Sequence, residues 1–384
     1  MSKLYNSQKH LASELSFFLK NIFPSISKPQ LKLIPFILIG MISSESVVTS
    51  DIVKKLKGDF LLVSPSSTIR RLERFFNNLN FDVFSLYQAI ISFVISRYKP
   101  KNKNVYLSFD HMFCRSSFTV FLISLRIGKQ GIPIWFRCFK GIHDPEAFSI
   151  SLIKSGISFV VDLFKAKKCE LIFLADRWFN FCEIFSFIDS LGCTYCIRTK
   201  SNVSINIENY EYSDSIAHIS DIEPLFSRSL FFDSVFITQN NFHTKLTVSK
   251  SASHKEPFFI LTNGSTRHAV KHYGFRFGSI ECVFKNQKSN GFYLESSKMR
   301  NLHAFSTLFG LMCIALLWLT ILGSDYSRNK SHVKNSFKFR CSKRNGATFK
   351  RSFSLFNTGL FLFNLAFESP VYYLLKCNFI LYDV

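Results

Sequence analysis

The stretch YGFRFGSIECVFKNQKSNGFYL, from Tyr273 to Leu294, carries a single acid, Glu281, among cations, amides and apolar residues. Read as a helix, it puts Lys285 four residues and Lys288 seven residues beyond Glu281 on one face, with Ile280, Val283, Phe284 and Gln287 on the flanks. One carboxylate there can ligate a hard cation while two ammonium groups hold phosphates. The plainer reading is a surface helix with a Glu/Lys pair worth about 0.3–0.5 kcal/mol. Two more acids close apolar runs, Asp110 at the end of NVYLSFD and Asp176 at the end of CELIFLAD. Phosphodiester cleavage is served by two divalent ions about 4 Å apart, and carboxylate oxygens are the ligands Mg²⁺ prefers. A lone strand-end acid is more often a helix cap, so the chemistry requires the acids to meet. The run HDPEAF offers a rival set, His143, Asp144 and Glu146, of the kind a ββα-metal nuclease uses, but Asp144 before Pro145 reads as a turn and helix start.

The elements that must position these residues begin with a helical region over residues 1–98. Thr49, Ser50 and Asp51 offer caps to a short helix through Lys57, with Gly58 as its stop. Ser64 and Pro65 start a second helix with Ile69, Leu72 and Phe76 on one side and Arg70, Arg71 and Arg74 pointing away. The pair reads either as a helix-turn-helix that lays its basic helix in a major groove or as a small bundle with a solvated Arg face. After the basic linker KPKNKN the pattern turns to strands: NVYLSFD, SSFTVFLISLRIG and IPIWFRCFKG form a predicted three-strand meander. A helix over about 145–166, the strand CELIFLAD, a helix over about 180–191 and the strand TYCIRTK complete the order β, β, β, α, β, α, β. Residues 201–265 are polar with short β-type runs.

With 384 residues the chain can bury more than one core. Its charge of +22 repels basic partners and favours polyanions, nucleic acid first. Ten scattered cysteines with one CxxC, Cys193 to Cys196, indicate reduced, cytosolic usage and lack the four ligands of structural zinc. No secretory signal is visible at the N-terminus. The uncharged run Ala304 to Ser324 is long enough to span a bilayer; it equally suits a helix covering an α/β sheet, which is the expectation adopted, with no membrane partner. Arg328 to Arg351 holds nine Lys or Arg and no acid and reads as DNA-contacting or disordered, and SLFNTGLFLFNLAF is expected to pack back on the core.

The strand and helix order resembles the ribonuclease H-like fold, an α/β mixed sheet flanked by helices in which the first and fourth strands are neighbours. That would bring Asp110 and Asp176 to one sheet edge. Over roughly Asn104 to Phe363 the chain resembles DDE transposases of bacterial insertion sequences, the IS-four-like group. Its most specific part is the Y-R-E-K signature, met by Tyr273, Arg276, Glu281 and Lys288 and followed by KSNGFYLE; YLSFD at Asp110 and LADRWF at Asp176 resemble the family's other acid motifs. The resemblance implies that Asp110, Asp176 and Glu281 are catalytic ligands for two Mg²⁺ or Mn²⁺ ions, and that Tyr273, Arg276 and Lys288 grip phosphates of double-stranded DNA. It also implies a homodimer on paired element ends, in the bacterial cytoplasm at the nucleoid. The corresponding domains are 1–98 (DNA-binding), 104–200 and 266–327 (catalytic core), 201–265 (β insertion) and 328–384 (basic C-terminal region). Lys285 is added from helical geometry. Four residues separate Arg276 from Glu281 where the family usually has three. In a continuous helix one extra residue turns every later side chain by about 100°, so Ser279 is expected to cap a fresh helix whose loop absorbs it. Trp178, two residues past Asp176, is expected to pack in the core, with a wedge beside an unstacked base as the alternative. The rival readings are a ribonuclease H-like nuclease without strand transfer, an inactive transposase-derived repressor, and a single-span membrane protein.

Overall fold

The computed structural model describes residues 2–56, 64–101, 103–115, 117–207, 217–224, 228–250, 256–328, 354–368 and 380–382. Five helices come first: α1 (Ser2–Ile22), α2 (Lys28–Ser44), α3 (Thr49–Lys55), α4 (Pro65–Phe76) and α5 (Val83–Arg97). α3 starts one residue earlier than the expected caps allow, with Val48 in the cap position and no side-chain cap bond, and it ends at Lys55. Lys57 and Gly58, its expected end and stop, lie outside the described residues. α4 begins as its sequence dictates, Ser64 accepting from the backbone N–H of Ser67 and Pro65 opening the first turn. Leu72 and Phe76 are buried on its apolar side and Arg70, Arg71 and Arg74 are exposed.

Then follow β1 (Asn104–Cys114), β2 (Phe118–Ile127), β3 (Gln130–Lys140), α6 (Ile150–Phe164), β4 (Glu170–Ala175), α7 (Cys182–Ser190) and β5 (Thr194–Arg198). β1, β2 and β3 pair antiparallel, and β1 also pairs parallel with β4, which pairs parallel with β5. The spatial order β3-β2-β1-β4-β5 is that of the ribonuclease H-like fold, so the sequence-level expectation for the core holds. Parallel neighbours need crossovers, and α6 and α7 supply them. Strands covered on both faces lose the simple alternation of a half-buried sheet. Leu107, Phe109, Phe173 and Ile197 belong to the main core, while Ile172, Leu174 and Cys196 pack under Ala269 and Tyr273 on the other face.

The polar region beyond β5 extends the same sheet. β6 (Ile205–Ile207), β7 (Ser229–Ile237), β8 (Phe242–Ser249) and β9 (Phe258–Thr262) complete nine strands in the order β5-β9-β8-β7-β6. Two short helices return the chain to the acids, α8 (Thr266–Gly274) and α9 (Ile280–Lys288). α10 (Leu302–Arg328) then runs against β3, α2 and α5. It is long and apolar enough to cross a membrane, yet 94% of its most apolar window is buried inside the fold, as expected of a core helix.

α11 (Leu355–Glu368), which takes up all but the first residue of SLFNTGLFLFNLAF, packs back as expected, with Phe356 and Phe363 buried and the Phe363 ring edge-on to Trp318 at 5.4 Å. The basic stretch 329–351 lies outside the described residues. α10 and α11 approach so closely that a Cβ on Gly359 would meet the carbonyl of Leu319. Ala in an open helix is favoured over Gly by about 1 kcal/mol, but backbone has nowhere to move here. Gly359→Ala is therefore expected to destabilise by about 1–3 kcal/mol, read as a lower urea midpoint; an unchanged or higher midpoint would refute the close crossing.

Candidate active site

Asp110 is not at a strand end. β1 continues through Cys114 because β2 goes on pairing with it, down to Cys114 opposite Phe118, while β4 stops pairing at Ser108 opposite Leu174. The two acids therefore flank the point where β4 leaves the sheet. Asp176 follows the last residue of β4 and heads a 3₁₀ turn over Arg177–Phe179, where its carboxylate accepts the Arg177 N–H at 2.7 Å. It is the helix-cap geometry anticipated for a lone strand-end acid, but the acid is not alone.

The hydroxyl of Tyr273, in the last turn of α8, donates to Asp176 at 3.4 Å. The guanidinium of Arg276 donates through one terminal nitrogen to Asp110 and through the other to Glu281 at 2.9 Å. All three acids are thus drawn around Tyr273 and Arg276, from places far apart in the chain. The Arg276 side chain is only 4% exposed, against 20% for Asp110 and 46% for Glu281. Burial pushes the Asp110 carboxyl up to about 6, the charge of Arg276 pulling the other way. Burial works to lower Arg276, but Asp110 and the neighbouring groups outweigh it and hold its pKa above the usual value. Tyr273 is pushed up to about 12, first by burial and then by the charge of Asp176, so it is a hydrogen-bond donor.

The extra residue before Glu281 is absorbed outside the helices. α8 stops at Gly274, residues 275–279 form turns, and α9 starts afresh at Ile280 with Ser279 in the cap position. Ser279 does not cap with its side chain; its hydroxyl bonds to that of Ser124 at 2.9 Å, beside a register shift between β2 and β3. A Cβ on Gly131 would come within 2.5 Å of the Ser279 carbonyl, so β3 needs glycine there for α9 to dock. These two contacts, invisible in the sequence, set the direction of Glu281.

Lys288 donates to the backbone carbonyl of Phe113 at 2.6 Å and pairs with Glu295 at 3.3 Å, tying α9 to the end of β1. Lys285 is exposed one turn beyond Glu281. Arg70, Arg71 and Arg74 stand on α4, which packs on α2, α3 and α10, none of which carries an acid of the cluster. The rival set is not assembled as a nuclease site: Asp144 caps a 3₁₀ turn over Pro145–Phe148 by accepting the Glu146 N–H. Sequence reasoning misses His111, although it directly follows Asp110. Its ring stacks on Phe179 at 5.1 Å and bonds the Ala147 carbonyl at 2.8 Å, and burial pushes its pKa down to about 4, so it packs as a neutral ring.

The donor chemistry of Asp110, Asp176 and Glu281 suits a hard divalent cation. As placed, however, the guanidinium of Arg276 fills the gap between Asp110 and Glu281, and among the described residues no three His, Cys, Asp or Glu form a group that could hold a metal ion. Asp110 and Glu281 are arranged around the guanidinium of Arg276, with Asp176 held beside them by Tyr273.

No family model matches the chain, and no curated protein matches it. Among solved structures it is similar to Marinitoga piezophila Argonaute, determined in complex with 5′ OH guide RNA and target DNA, at 11% identity and a TM-score of 0.24. The match covers 67% of this chain and 37% of that one, so this chain spans well under half of that protein. A likeness of this size transfers no residue role.

Proposed function

We propose that the chain is a DDE-class DNA transposase that hydrolyses a strand at each end of an insertion sequence and joins the freed 3′ hydroxyl to target DNA. The reading rests above all on one observation: Arg276 of the Y-R-E-K pattern joins Asp110 to Glu281 and Tyr273 reaches Asp176, on a sheet with the ribonuclease H-like strand order. In this reading Asp110, Asp176 and Glu281 would hold two Mg²⁺ or Mn²⁺ ions, which would supply charge stabilisation to the attacking and leaving oxygens. Arg276 is the group that must give way, and a DNA phosphate is the partner that would draw its guanidinium off the acids, since an Arg fork pairs with phosphate as well as with carboxylate. Tyr273 holds Asp176 in place through its hydroxyl, Lys285 faces the strand from the open side of α9, and Arg70, Arg71 and Arg74 meet the duplex. Lys288 acts by fixing α9 to β1. Joining two ends calls for a homodimer, and the setting is the bacterial nucleoid.

A second reading is favoured by the same guanidinium: with Arg276 seated between Asp110 and Glu281, the chain would be a DNA-binding repressor that no longer cuts. The deciding experiment uses a plasmid carrying the DNA on either side of the chain's own coding region, incubated with Mg²⁺ and a second, target plasmid. Nicking followed by a joined product is expected. Nicking without joining would leave a ribonuclease H-like nuclease, and tight salt-sensitive binding without nicking would leave the repressor.

A further inference from the structure

On the face of β1 opposite Asp110, as strand alternation requires, lies a row of aromatic rings, two of them well exposed. Trp178 is 66% exposed, so the expectation that it packs in the core is wrong. Phe113, three residues past Asp110, is 43% exposed. Phe148 stands between them, its ring centroid 5.7 Å from Trp178 and 6.5 Å from Phe113, with planes inclined by only 37° and 30°. The His111 ring supports the row, 4.5 Å from Phe148 and stacked on Phe179. Single exposed apolar residues are ordinary; a row of rings in contact with one another and braced from beneath is a surface with a use. At the Phe113 end the chain passes through Arg115 in the left-handed region, φ 51, which non-glycine residues rarely occupy and which clusters at functional sites. Arg115, Lys298 and Arg300 there line a cavity of about 270 Å³ whose inner wall includes Phe118, stacked on Phe305 at 4.1 Å.

We propose that this row binds an unpaired DNA strand, with bases stacked on Trp178, Phe148 and Phe113 and phosphates drawn to Arg115, Lys298 and Arg300. Duplex bases cover each other's faces and offer only edges, so flat rings select a strand whose bases are free. Each base stacked on an aromatic ring contributes on the order of ten- to a hundredfold in affinity, whatever its sequence. The cations at one end and the chain's charge of +22 favour a polyanion over an apolar protein partner. The inference takes its ligand from the transposase reading but needs neither metal ion nor cleavage.

The full-length protein in chelator carries its own probe. Of its three tryptophans, Trp135 and Trp318 are 2% and 1% exposed, leaving Trp178 to respond to solvent. Titration with oligothymidylate is expected to quench this fluorescence, and a duplex of equal length to leave it nearly unchanged. Trp178→Ala and Phe148→Leu should each weaken single-strand binding about tenfold while duplex binding stays within about twofold. Arg115→Gln should reduce the dependence of log single-strand affinity on log salt by about 0.7. Equal quenching by duplex, no quenching by single strand, or equal losses on both ligands would overturn the proposal. Quenching without any nicking activity would sustain it while the transposase reading failed; nicking without quenching would do the reverse.

Discussion

An Asp110→Asn chain is expected to lose cleavage by about a thousandfold or more and yet resist urea better than the wild type at neutral pH. The first effect follows if Asp110 ligates the ions: removing several kcal/mol of charge stabilisation from the transition state lowers the rate by about that factor. The second follows from burial. The Asp110 carboxyl is pushed from 3.8 to about 6 in the folded chain despite Arg276 beside it. The folded state therefore holds this proton more tightly than the unfolded state does. Stability from this group is fully present below 3.8 and is lost as pH rises through about 6, an effect of at most about 3 kcal/mol. Asn never ionises but keeps the shape and an oxygen to accept from the His111 N–H or the guanidinium of Arg276, which keeps Glu281 as its charged partner. In chelator, the wild type should lose stability relative to the variant between these two values, read as urea midpoints across pH. Parallel pH curves for the two proteins would refute the electrostatic placing, and normal nicking by the variant would sink the catalytic one. A site acid whose removal stabilises the fold is held there for function.

Much of this site is legible in the sequence because its parts are local. The alternation in NVYLSFD, the apolar run CELIFLAD and the order of helices and strands give the elements, and the resemblance to the ribonuclease H-like fold implies β1 beside β4 and with it Asp110 near Asp176. The resemblance to the Y-R-E-K pattern in residue types picks out Tyr273, Arg276 and Glu281, although the spacing is one residue longer. The hidden part depends on contacts across the chain. Ser279 meets Ser124 and the backbone at Gly131, which no local pattern marks, and these decide where Glu281 points. The exposure of Trp178 is masked by composition: with 46 Phe in the chain, apolar runs occur on surface and core alike, so an aromatic in LADRWF reads as core. The same holds for residues 201–265, whose weak strands pair edge to edge on β5 and continue the main sheet. Helical position alone leaves Lys288 free to meet a phosphate, but the end of β1 lies within its reach.

Arg276→Met is expected to destabilise the chain by about 3 kcal/mol in chelator and to make its stability depend on Mg²⁺. Removing one member of a buried ion pair leaves the other charges without compensation, which is worse than never having had the pair. Here Arg276 is 4% exposed and touches both Asp110 and Glu281, while its Nε has no hydrogen-bond partner, so the fork serves the acids alone. Met fills similar volume and restores no charge. With the gap open, a divalent cation becomes the remaining counter-charge, and a ligand that binds only the folded state at about a hundred times its Kd returns about 2.7 kcal/mol. The wild type should gain much less from the same Mg²⁺, because its acids are already neutralised by Arg276. Arg276→Lys separates charge from geometry: one ammonium cannot reach both carboxylates as a planar fork does, so it should fall between the two in stability and in Mg²⁺ response. Equal Mg²⁺ stabilisation of wild type and Arg276→Met would mean that the guanidinium does not compete with the ion. The three acids would then bind metal elsewhere than in the gap it fills, and the repressor reading would lose the observation that favours it.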